Sequence, residues 1–205
     1  MDQIYKQNLW GGSESDFYSG AGSHYPEIVI PYVNVVASFL ASFETSLIVC
    51  DLGCGDFNIG KELAKHTKKY VAVDIVPDLI VHNKATFQAE NLTFQCVDIA
   101  KDDLPFGDCA ILRQVLQHLS NAEVQLVVNK IHQYKYLIVT EHIPEGDFIP
   151  NVDIISGQGI RLKKKSGIDL FAPPFNLKVK SSMELCKTYQ SNQKGMIVTT
   201  LYEMP

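Results

Sequence analysis

At 205 residues the chain is long enough for one α/β domain with a full hydrophobic core, and its 46% apolar share is ordinary for a globular protein. The formal net charge of -5 argues against a nucleic-acid backbone as partner. Its 5 cysteines include no C-x-x-C pair, which favours reduced thiols over disulfides or a metal site. The first residues show no secretory pattern, and no window is a confident membrane span. We therefore expect a cytoplasmic protein without a membrane span, a metal or a nucleic-acid partner.

Residues 7–25 are dense in glycine and serine but also contain four aromatic residues, Trp10 and Tyr25 among them. A plain flexible linker has no need of such side chains. Two interpretations stay open, a loop that closes over a site and a surface arm pinned by its aromatic residues. The candidate lid or substrate residues are Trp10, Ser19 and Tyr25.

Strand-like and helix-like segments alternate after this arm. We predict helices over 26–43, 59–65, 78–88 and 120–133, and strands over 47–51, 70–75, 92–97, 109–112, 136–140, 183–189 and 195–202. Ser120 and Glu123 have the spacing of a capping box, which marks the start of the last helix. Residues 142–178 show no convincing helical period. The alternation ends in a hairpin, so it predicts an α/β fold with a mostly parallel, seven-stranded sheet and an antiparallel edge.

Three acidic residues stand at the ends of the first three predicted strands, namely Asp51, Asp74 and Asp98. Ligands of open α/β sheets bind beyond the carboxyl ends of the strands, so these residues should share one site. The loop after Asp51 carries Gly53 and Gly55, but Asn58 stands where a dinucleotide-binding G-x-G-x-x-G loop has its third glycine. This difference disfavours NAD and NADP. Asp74 suits a carboxylate that binds ribose hydroxyls, and Asp98 suits one that binds an adenine amino group.

These motifs and the segment before His118-Leu119 resemble, in their order, the successive motifs of class I S-adenosylmethionine-dependent methyltransferases over residues 45–141. More narrowly, the chain resembles a bacterial group of methyltransferase-fold proteins. Its marks are Asn8-Leu9-Trp10-Gly11, Ser19-Gly20-Ala21-Gly22-Ser23, Cys54-Gly55-Asp56-Phe57-Asn58, Asp74-Ile75-Val76-Pro77 and Pro173-Pro174-Phe175-Asn176. The chain departs from that group at Leu52-Gly53, where Ala-Pro or Ile-Pro is expected, and in an apparent insertion at 163–165.

The resemblance implies a Rossmann-like fold that binds S-adenosyl-L-methionine and releases S-adenosyl-L-homocysteine. The cofactor-binding residues that it implies are Asp51, Gly53, Cys54, Gly55, Asp74, Ile75, Asp98, Ile99, Arg113 and Gln114. It further implies a single domain over 1–205, with an arm or lid (1–25), a cofactor-binding core (26–141), an irregular substrate-side segment (142–178) and a C-terminal hairpin (179–205).

The expected reaction is in-line methyl transfer to an acceptor, with a small molecule or glycan as the favoured class. His118 and Glu141 are the candidate bases, and His24 and His142 are further ones. His118 can equally serve only in packing or in starting the next helix. The three lysines at 163–165 fit either a phosphate or acidic sugar, or a solvated loop. A second hypothesis keeps the fold but not the chemistry, as a non-catalytic cofactor-binding or interaction protein.

Overall fold

The structure is a computed structural model that describes residues 7, 9, 11, 17–189 and 195–205. Within these residues seven strands form one sheet in the order β3-β2-β1-β4-β5-β7-β6. The strands are β1 (Ile48–Leu52), β2 (Lys69–Asp74), β3 (Leu92–Cys96), β4 (Cys109–Arg113), β5 (Tyr136–Ile143), β6 (Ser181–Tyr189) and β7 (Met196–Glu203). The α-helices are α1 (Pro26–Ala41), α2 (Gly60–Ala64), α3 (Pro77–Thr86) and α4 (Asn121–Val128). Short 3-10 helices cover Ala21–Ser23, Leu116–His118, Ile131–Gln133 and Arg161–Lys164.

The first five strands pair in parallel, and β7 lies antiparallel between β5 and β6. This arrangement confirms the predicted Rossmann-like fold with an antiparallel C-terminal hairpin. The chain runs outward in one direction from β1 to β3 and in the other from β4, so the strand order reverses between β1 and β4. A crevice therefore opens beyond the carboxyl ends of these two strands, where ligands of doubly wound folds bind.

The hydrophobic core lies on both faces of the sheet because side chains alternate along each strand. On β2, Val71 and Val73 join one buried cluster, while Tyr70 and Ala72 join the other. Helix α4 packs on the first face and α1 on the second. The buried residues of α1 recur every fourth position, at Ile28, Tyr32, Val36 and Leu40, which is the stripe expected of a helix that covers a sheet.

Several predicted boundaries differ from the observed ones. The helix expected over 120–133 begins as predicted, with a complete capping box between Ser120 and Glu123, but ends at Val128 and is followed by a separate 3-10 turn. Strand β5 runs three residues beyond its predicted end at 140, because antiparallel pairing with β7 continues to Ile143. In the described part of the chain, no helix is long and apolar enough to cross a membrane.

Candidate functional site

A cavity of about 430 Å³ occupies the crevice at the carboxyl edge of the sheet. Most of the sequence-predicted site residues line it: Ser19, Asp51, Gly53, Cys54, Gly55, Asp74, Ile75, Asp98, Ile99, Arg113, Gln114 and His118. Glu141 and Tyr25 are not among the lining residues, and Trp10 lies outside the described residues. The three acids at three strand ends therefore meet in one cavity, as the sequence predicts.

The loop after β1 passes close to the neighbouring β4 segment, and glycine is needed there. Gly53 has a φ of 96°, and a Cβ at this position would lie 2.5 Å from Val115 Cγ2. The backbone N–H groups of Gly53 and Cys54 both donate to Val73 O, at 2.9 and 2.8 Å. Asn83, which the sequence interpretation missed, donates to Gly55 O at 2.7 Å. The loop is thus fixed from β2 and α3 before any ligand binds.

Asp74 holds the same loop from the end of β2. Its Oδ2 accepts from Gly55 N and its Oδ1 from Val76 N, both at 3.1 Å. Burial raises the pKa of Asp74 above its ordinary value, although these backbone hydrogen bonds favour the charged form. Each carboxylate oxygen can accept more than one hydrogen bond, so the side chain can still bind hydroxyl groups in the cavity.

Asp51 is buried at the end of β1, with a relative exposure of 6%. Tyr70 donates its hydroxyl to Asp51 Oδ2 at 2.9 Å. Burial raises the pKa of Asp51 to about 7, and the nearby Asp74 adds to the rise, while the Tyr70 hydrogen bond and Arg113 oppose it. A cationic group in the cavity would favour the ionised carboxylate, so Asp51 suits a ligand ammonium.

Asp98 follows β3 at the cavity rim. Its Oδ1 accepts from Ala100 N at 3.0 Å, and its Oδ2 lies 3.0 Å from Lys101 Nζ. Ile75 and Ile99 also line the cavity, the first of them 44% exposed. Apolar side chains beside a hydrogen-bonding carboxylate form the type of surface that binds a flat heterocycle.

Arg113, at the end of β4, is buried and points at residues 17–25, the covering arm. Its guanidinium donates to Gly22 O and to Ser23 Oγ, the latter at 3.2 Å, and lies 4.8 Å from the ring centre of Tyr32. Burial lowers the pKa of Arg113, but the side chain stays charged near neutral pH. Gln114 follows with a φ of 57°, a conformation unusual for a residue with a side chain. Its amide sits directly against Gly22.

The covering arm (residues 17–25) is attached to the loop after β1 mainly through Asp56. Asp56 Oδ2 accepts from Ser19 N at 2.8 Å and lies 2.6 Å from His24 Nε2, while Asp56 N donates to Ser19 Oγ at 2.8 Å. Asn58 Nδ2 donates to Ser23 O at 2.7 Å. Residues 19–23 of the arm therefore form part of the cavity wall. His24 is engaged with Asp56, and Tyr25 is 41% exposed.

The 3-10 turn after β4 carries Gln117 and His118, whose side chains contact each other. His142 N donates to Gln117 Oε1 at 2.9 Å, so the Gln117 amide nitrogen faces His118 Nε2, 3.3 Å away. His118 Nδ1 lies 3.2 Å from Gly157 O, which can only accept. The network thus assigns the proton to Nδ1 and makes Nε2 an acceptor. Burial lowers the pKa of His118 to about 4, so the ring is neutral at physiological pH.

Glu141 lies elsewhere, in a small second cavity between β5 and β7 with Thr200 and Tyr202. Its Oε1 accepts from Leu116 N at 3.2 Å, and its Oε2 has no hydrogen-bond partner among the described residues. Burial raises the pKa of Glu141 to about 8. Since side chains alternate along β5, the next residue, His142, lines the main cavity instead.

The outer wall of the cavity (residues 116–123 and 156–161) joins two distant segments of the chain. Ser120 N donates to Ser156 Oγ at 2.7 Å, and the Ser156 hydroxyl donates to Glu123 Oε2. Gly157 N donates to His118 O at 3.0 Å. Glu123 thus closes the capping box and also binds Ser156. The capping box is visible in the sequence, but this second partner, 33 positions away, is not.

Arg161 is the most buried cation of the outer wall, with 1% exposure. Its guanidinium donates to the carbonyl oxygens of Leu116, Gln117 and Leu119, at 3.4, 3.3 and 2.8 Å. It also donates to Asn121 Oδ1 at 2.7 Å. Arg161 therefore holds the 116–121 segment through four hydrogen bonds. The sequence did not predict this role, because Arg161 lies in a loop without a recognisable motif.

The fold and the cavity define a Rossmann-like α/β protein with a ligand site at the point where strand order reverses. A family profile described as a methyltransferase domain matches residues 49–134. A search of curated protein sequences gives no match.

Solved methyltransferase structures share this fold. The N-methyltransferase NodS from Bradyrhizobium japonicum WM9, in complex with S-adenosyl-L-homocysteine, has 12% sequence identity and a TM-score of 0.68, over 98% of this chain and 97% of NodS. Magnesium protoporphyrin IX methyltransferase from Synechocystis PCC 6803, also with bound S-adenosylhomocysteine, has 15% identity and a TM-score of 0.57, over 98% and 96% of the two chains. At these identities the likeness establishes the fold, and the chemistry has to be argued from the cavity.

Proposed function

We propose that this protein is an S-adenosylmethionine-dependent methyltransferase that acts on a small molecule or glycan. The observation that carries the proposal is the convergence of Asp51, Asp74 and Asp98 on one cavity beside a glycine loop. The methyltransferase-domain match over 49–134 and the neighbours crystallised with S-adenosylhomocysteine support the same assignment.

The lining residues fit this cofactor. Asp74 would bind the ribose hydroxyls with its remaining acceptor capacity, and Asp98 would accept from the adenine amino group. Ile75 and Ile99 would pack against the adenine ring. Asp51 would face the amino group of the methionine moiety.

The methionine end is expected near the close approach of the β1 loop to the β4 segment. Gly53 and Gly55, with φ values of 96° and 54°, let the loop backbone turn there and line the cavity directly. The remaining predicted contacts, Cys54, Arg113 and Gln114, line the same part of the wall. Burial raises the pKa of the Cys54 thiol well above its usual value, so Cys54 would act as a small lining residue and not as a nucleophile.

When bound, S-adenosylmethionine would supply an activated methyl group for in-line displacement by an acceptor lone pair, with the bonding electron pair staying on sulfur and the acceptor proton passing to solvent. The protein then has to align the acceptor and exclude water. The covering arm and the outer wall supply the enclosure. We do not assign His118 to proton removal or to binding the acceptor, because both of its ring nitrogens are engaged, Nδ1 with Gly157 O and Nε2 with the Gln117 amide; its neutral ring would line the acceptor side of the cavity. Glu141, the other predicted base, faces a separate cavity and is not assigned to the chemistry.

Calorimetric titration with S-adenosylhomocysteine tests cofactor use. We expect saturable binding, and no binding at high micromolar ligand would refute the proposal. The alternative, a protein that keeps the cofactor but methylates nothing, predicts binding without transfer of label from methyl-tritiated S-adenosylmethionine to any acceptor.

We also infer that the chain belongs to the bacterial group marked by the segments at 8–11, 19–23 and 54–58. In support, the second and third of these segments contact each other through Ser19 and Asp56. Deletion of residues 1–25 would test the shared role that this inference gives the arm. We expect the deletion to weaken S-adenosylhomocysteine binding, and unchanged binding would contradict it. The cytoplasmic location expected from the cysteine pattern stays a prediction.

A further inference from the structure

Glu141 does not line the main cavity, but its side chain contacts a turn that forms part of the cavity wall. Its Oε1 accepts from the backbone N–H of Leu116 at 3.2 Å, and the backbone N–H of Gln117 faces the same carboxyl group. Leu116 begins the 3-10 turn that ends at His118, and both Gln117 and His118 line the main cavity. Glu141 is therefore connected to the cavity through the backbone of this turn.

Arg161 binds the carbonyl groups of the same turn. Its guanidinium donates to the carbonyl oxygens of Leu116 and Gln117, at 3.4 and 3.3 Å. One side chain thus accepts from an N–H group of the turn while another donates to its carbonyl groups. Glu141 and Arg161 are only 5% and 1% exposed, so bulk water does not compete for these hydrogen bonds. A buried backbone group that loses such a partner is costly, and the turn would have to move to pair it again.

Strand β5 also fixes a side chain that the turn presents to the cavity. His142, which follows Glu141, donates its backbone N–H to Gln117 Oε1 at 2.9 Å. The Gln117 amide nitrogen faces His118 Nε2, 3.3 Å away, and His118 Nδ1 lies 3.2 Å from Gly157 O. A displacement of the turn would disturb both contacts of the imidazole ring. The His118 ring therefore reports whether the turn keeps its position.

The 116–118 turn belongs to the outer wall, and none of its residues is among those proposed to hold the cofactor. The strand-end acids are held by other groups. Asp74 accepts from the backbone N–H groups of Gly55 and Val76, and Asp51 accepts from the Tyr70 hydroxyl. Loss of the Glu141 contact should therefore change the outer wall and leave the side proposed for the cofactor intact.

We propose that Glu141 is a positioning residue for the methyl acceptor. Its side chain, together with that of Arg161, holds the 116–118 turn in place in the wall that the acceptor meets. Glu141 acts as a hydrogen-bond acceptor for the turn and not as a base, since it faces the second cavity. The assignment of this wall to the acceptor rests on the proposed methyltransferase function, whereas the contacts that hold the turn do not.

Two substitutions of equal side-chain length test this role. Glu141→Gln keeps an oxygen that can accept from Leu116 N, whereas Glu141→Met fills the same space without one. Burial raises the pKa of Glu141 to about 8, so the carboxyl group is already uncharged in the pH range where His118 titrates. Neither substitution changes the charge near His118 in that range, and a change in the ring reflects the position of the turn. Thr200→Val is the matched control, because Thr200 lines the same small cavity from β7.

The measurement is nuclear magnetic resonance of protein carrying isotope-labelled histidine. Long-range proton–nitrogen correlation spectra give the tautomer and the protonation state of each ring, and a His118→Asn spectrum assigns one signal among the 6 histidines. In wild type, Glu141→Gln and Thr200→Val we expect a neutral His118 ring at neutral pH with its proton on Nδ1, since burial lowers the pKa of His118 to about 4. In Glu141→Met we expect mixed tautomers and a titration midpoint higher by about one pH unit or more, toward the ordinary value of about 6.5.

Titration of the same variants with S-adenosylhomocysteine locates the effect. We expect affinities within about threefold of wild type, because the strand-end acids are not touched. Loss of affinity in Glu141→Met would place the turn on the cofactor side and contradict the proposal. Absence of binding in wild type would instead refute the methyltransferase function and with it the acceptor, while the His118 signals separately test the hold on the turn.

Wild-type His118 signals in folded Glu141→Met, or an equal change in Glu141→Gln, would overturn the proposal. If Glu141→Met does not fold, Arg161→Lys tests the opposite side of the turn. Lysine keeps the positive charge, but its single amine cannot bind the four oxygens that the guanidinium binds. The His118 midpoint should rise in this variant too, and an unchanged midpoint in the folded protein would refute the role of the pair. A shift of equal size in Thr200→Val would indicate general loosening of the fold and would also count against it.

Discussion

Asp74→Asn is the sharpest test of the cofactor site. Asp74 is buried, and its carboxylate accepts from Gly55 N and Val76 N at 3.1 Å. Truncation to alanine would leave both N–H groups unpaired, at about 1–3 kcal/mol each, and would disturb the loop along with the ribose contact. Asparagine keeps the size and one carbonyl oxygen, so it removes the negative charge and leaves one of the two N–H groups, rather than both, without an acceptor.

The expected loss follows from that charge. A hydrogen bond to a charged group contributes about 1.5–3 kcal/mol, against about 1 kcal/mol for a neutral one. Converting the hydrogen bonds to the two ribose hydroxyls from charged to neutral removes about 0.5–2 kcal/mol each, so S-adenosylhomocysteine binding should weaken by at least about fivefold, since about 1.4 kcal/mol corresponds to a factor of ten. Asp74 is buried, so solvent screening does not reduce the effect as it would at the surface.

Isothermal titration calorimetry of wild type and variant measures this change. Asp78→Asn is the matched control, because Asp78 is exposed in the first turn of α3 and does not line the cavity. Circular dichroism establishes that both variants are folded. If folded Asp74→Asn binds S-adenosylhomocysteine within threefold of wild type, Asp74 does not hold the ribose and the placement of the cofactor is wrong.

Three further predictions concern the surroundings of the site. Burial raises the pKa of Glu141 from 4.5 to about 8, so between these values the native state keeps a proton that the unfolded chain releases. Wild type should therefore lose more stability than Glu141→Gln as pH rises through this window, the remaining slope of the variant coming from Asp51, whose pKa is raised to about 7; equal slopes in urea unfolding experiments would contradict the role of Glu141. Asp56→Ala removes the main contact of the covering arm. Cleavage within 17–25 in limited proteolysis should therefore become faster, and S-adenosylhomocysteine should dissociate more rapidly. An unchanged cleavage rate would show that other contacts are enough to hold the arm in place. Burial raises the pKa of the Cys54 thiol, so iodoacetamide at neutral pH should modify the exposed Cys96 first, and peptide mass spectrometry showing the reverse order would exclude a buried, inert Cys54.

The fold was predictable because its signals are local. The apolar runs of β1, β2, β4 and β5 are strands buried on both faces, and alternation with helices identifies a parallel sheet. The carboxyl ends of parallel strands lie on one edge, so Asp51, Asp74 and Asp98 could be placed together without knowing a single contact. Boundaries were less accurate because they depend on tertiary pairing. The end of β5 is set by β7, whose residues follow about 60 positions later.

The outer part of the site was not predictable in this way. Sequence patterns report neighbours within a few positions, whereas Ser19 reaches Asp56 across 37 positions and Arg161 reaches Leu116 across 45. Glu141, by contrast, was predicted at the site and lies outside it. Its position at the predicted end of β5 indicates the site edge, but strand alternation turns its side chain into the second cavity and places His142 at the main one.

The strand-end side of the cavity and its outer wall are held by different kinds of contact. The side proposed for the cofactor is positioned by the strand ends and by backbone hydrogen bonds to Asp74. The outer wall depends on one buried cation, Arg161, that binds carbonyl oxygens of a distant turn. Loop changes around 156–161 can therefore reshape the outer wall while the strand-end carboxylates Asp51, Asp74 and Asp98 stay in place.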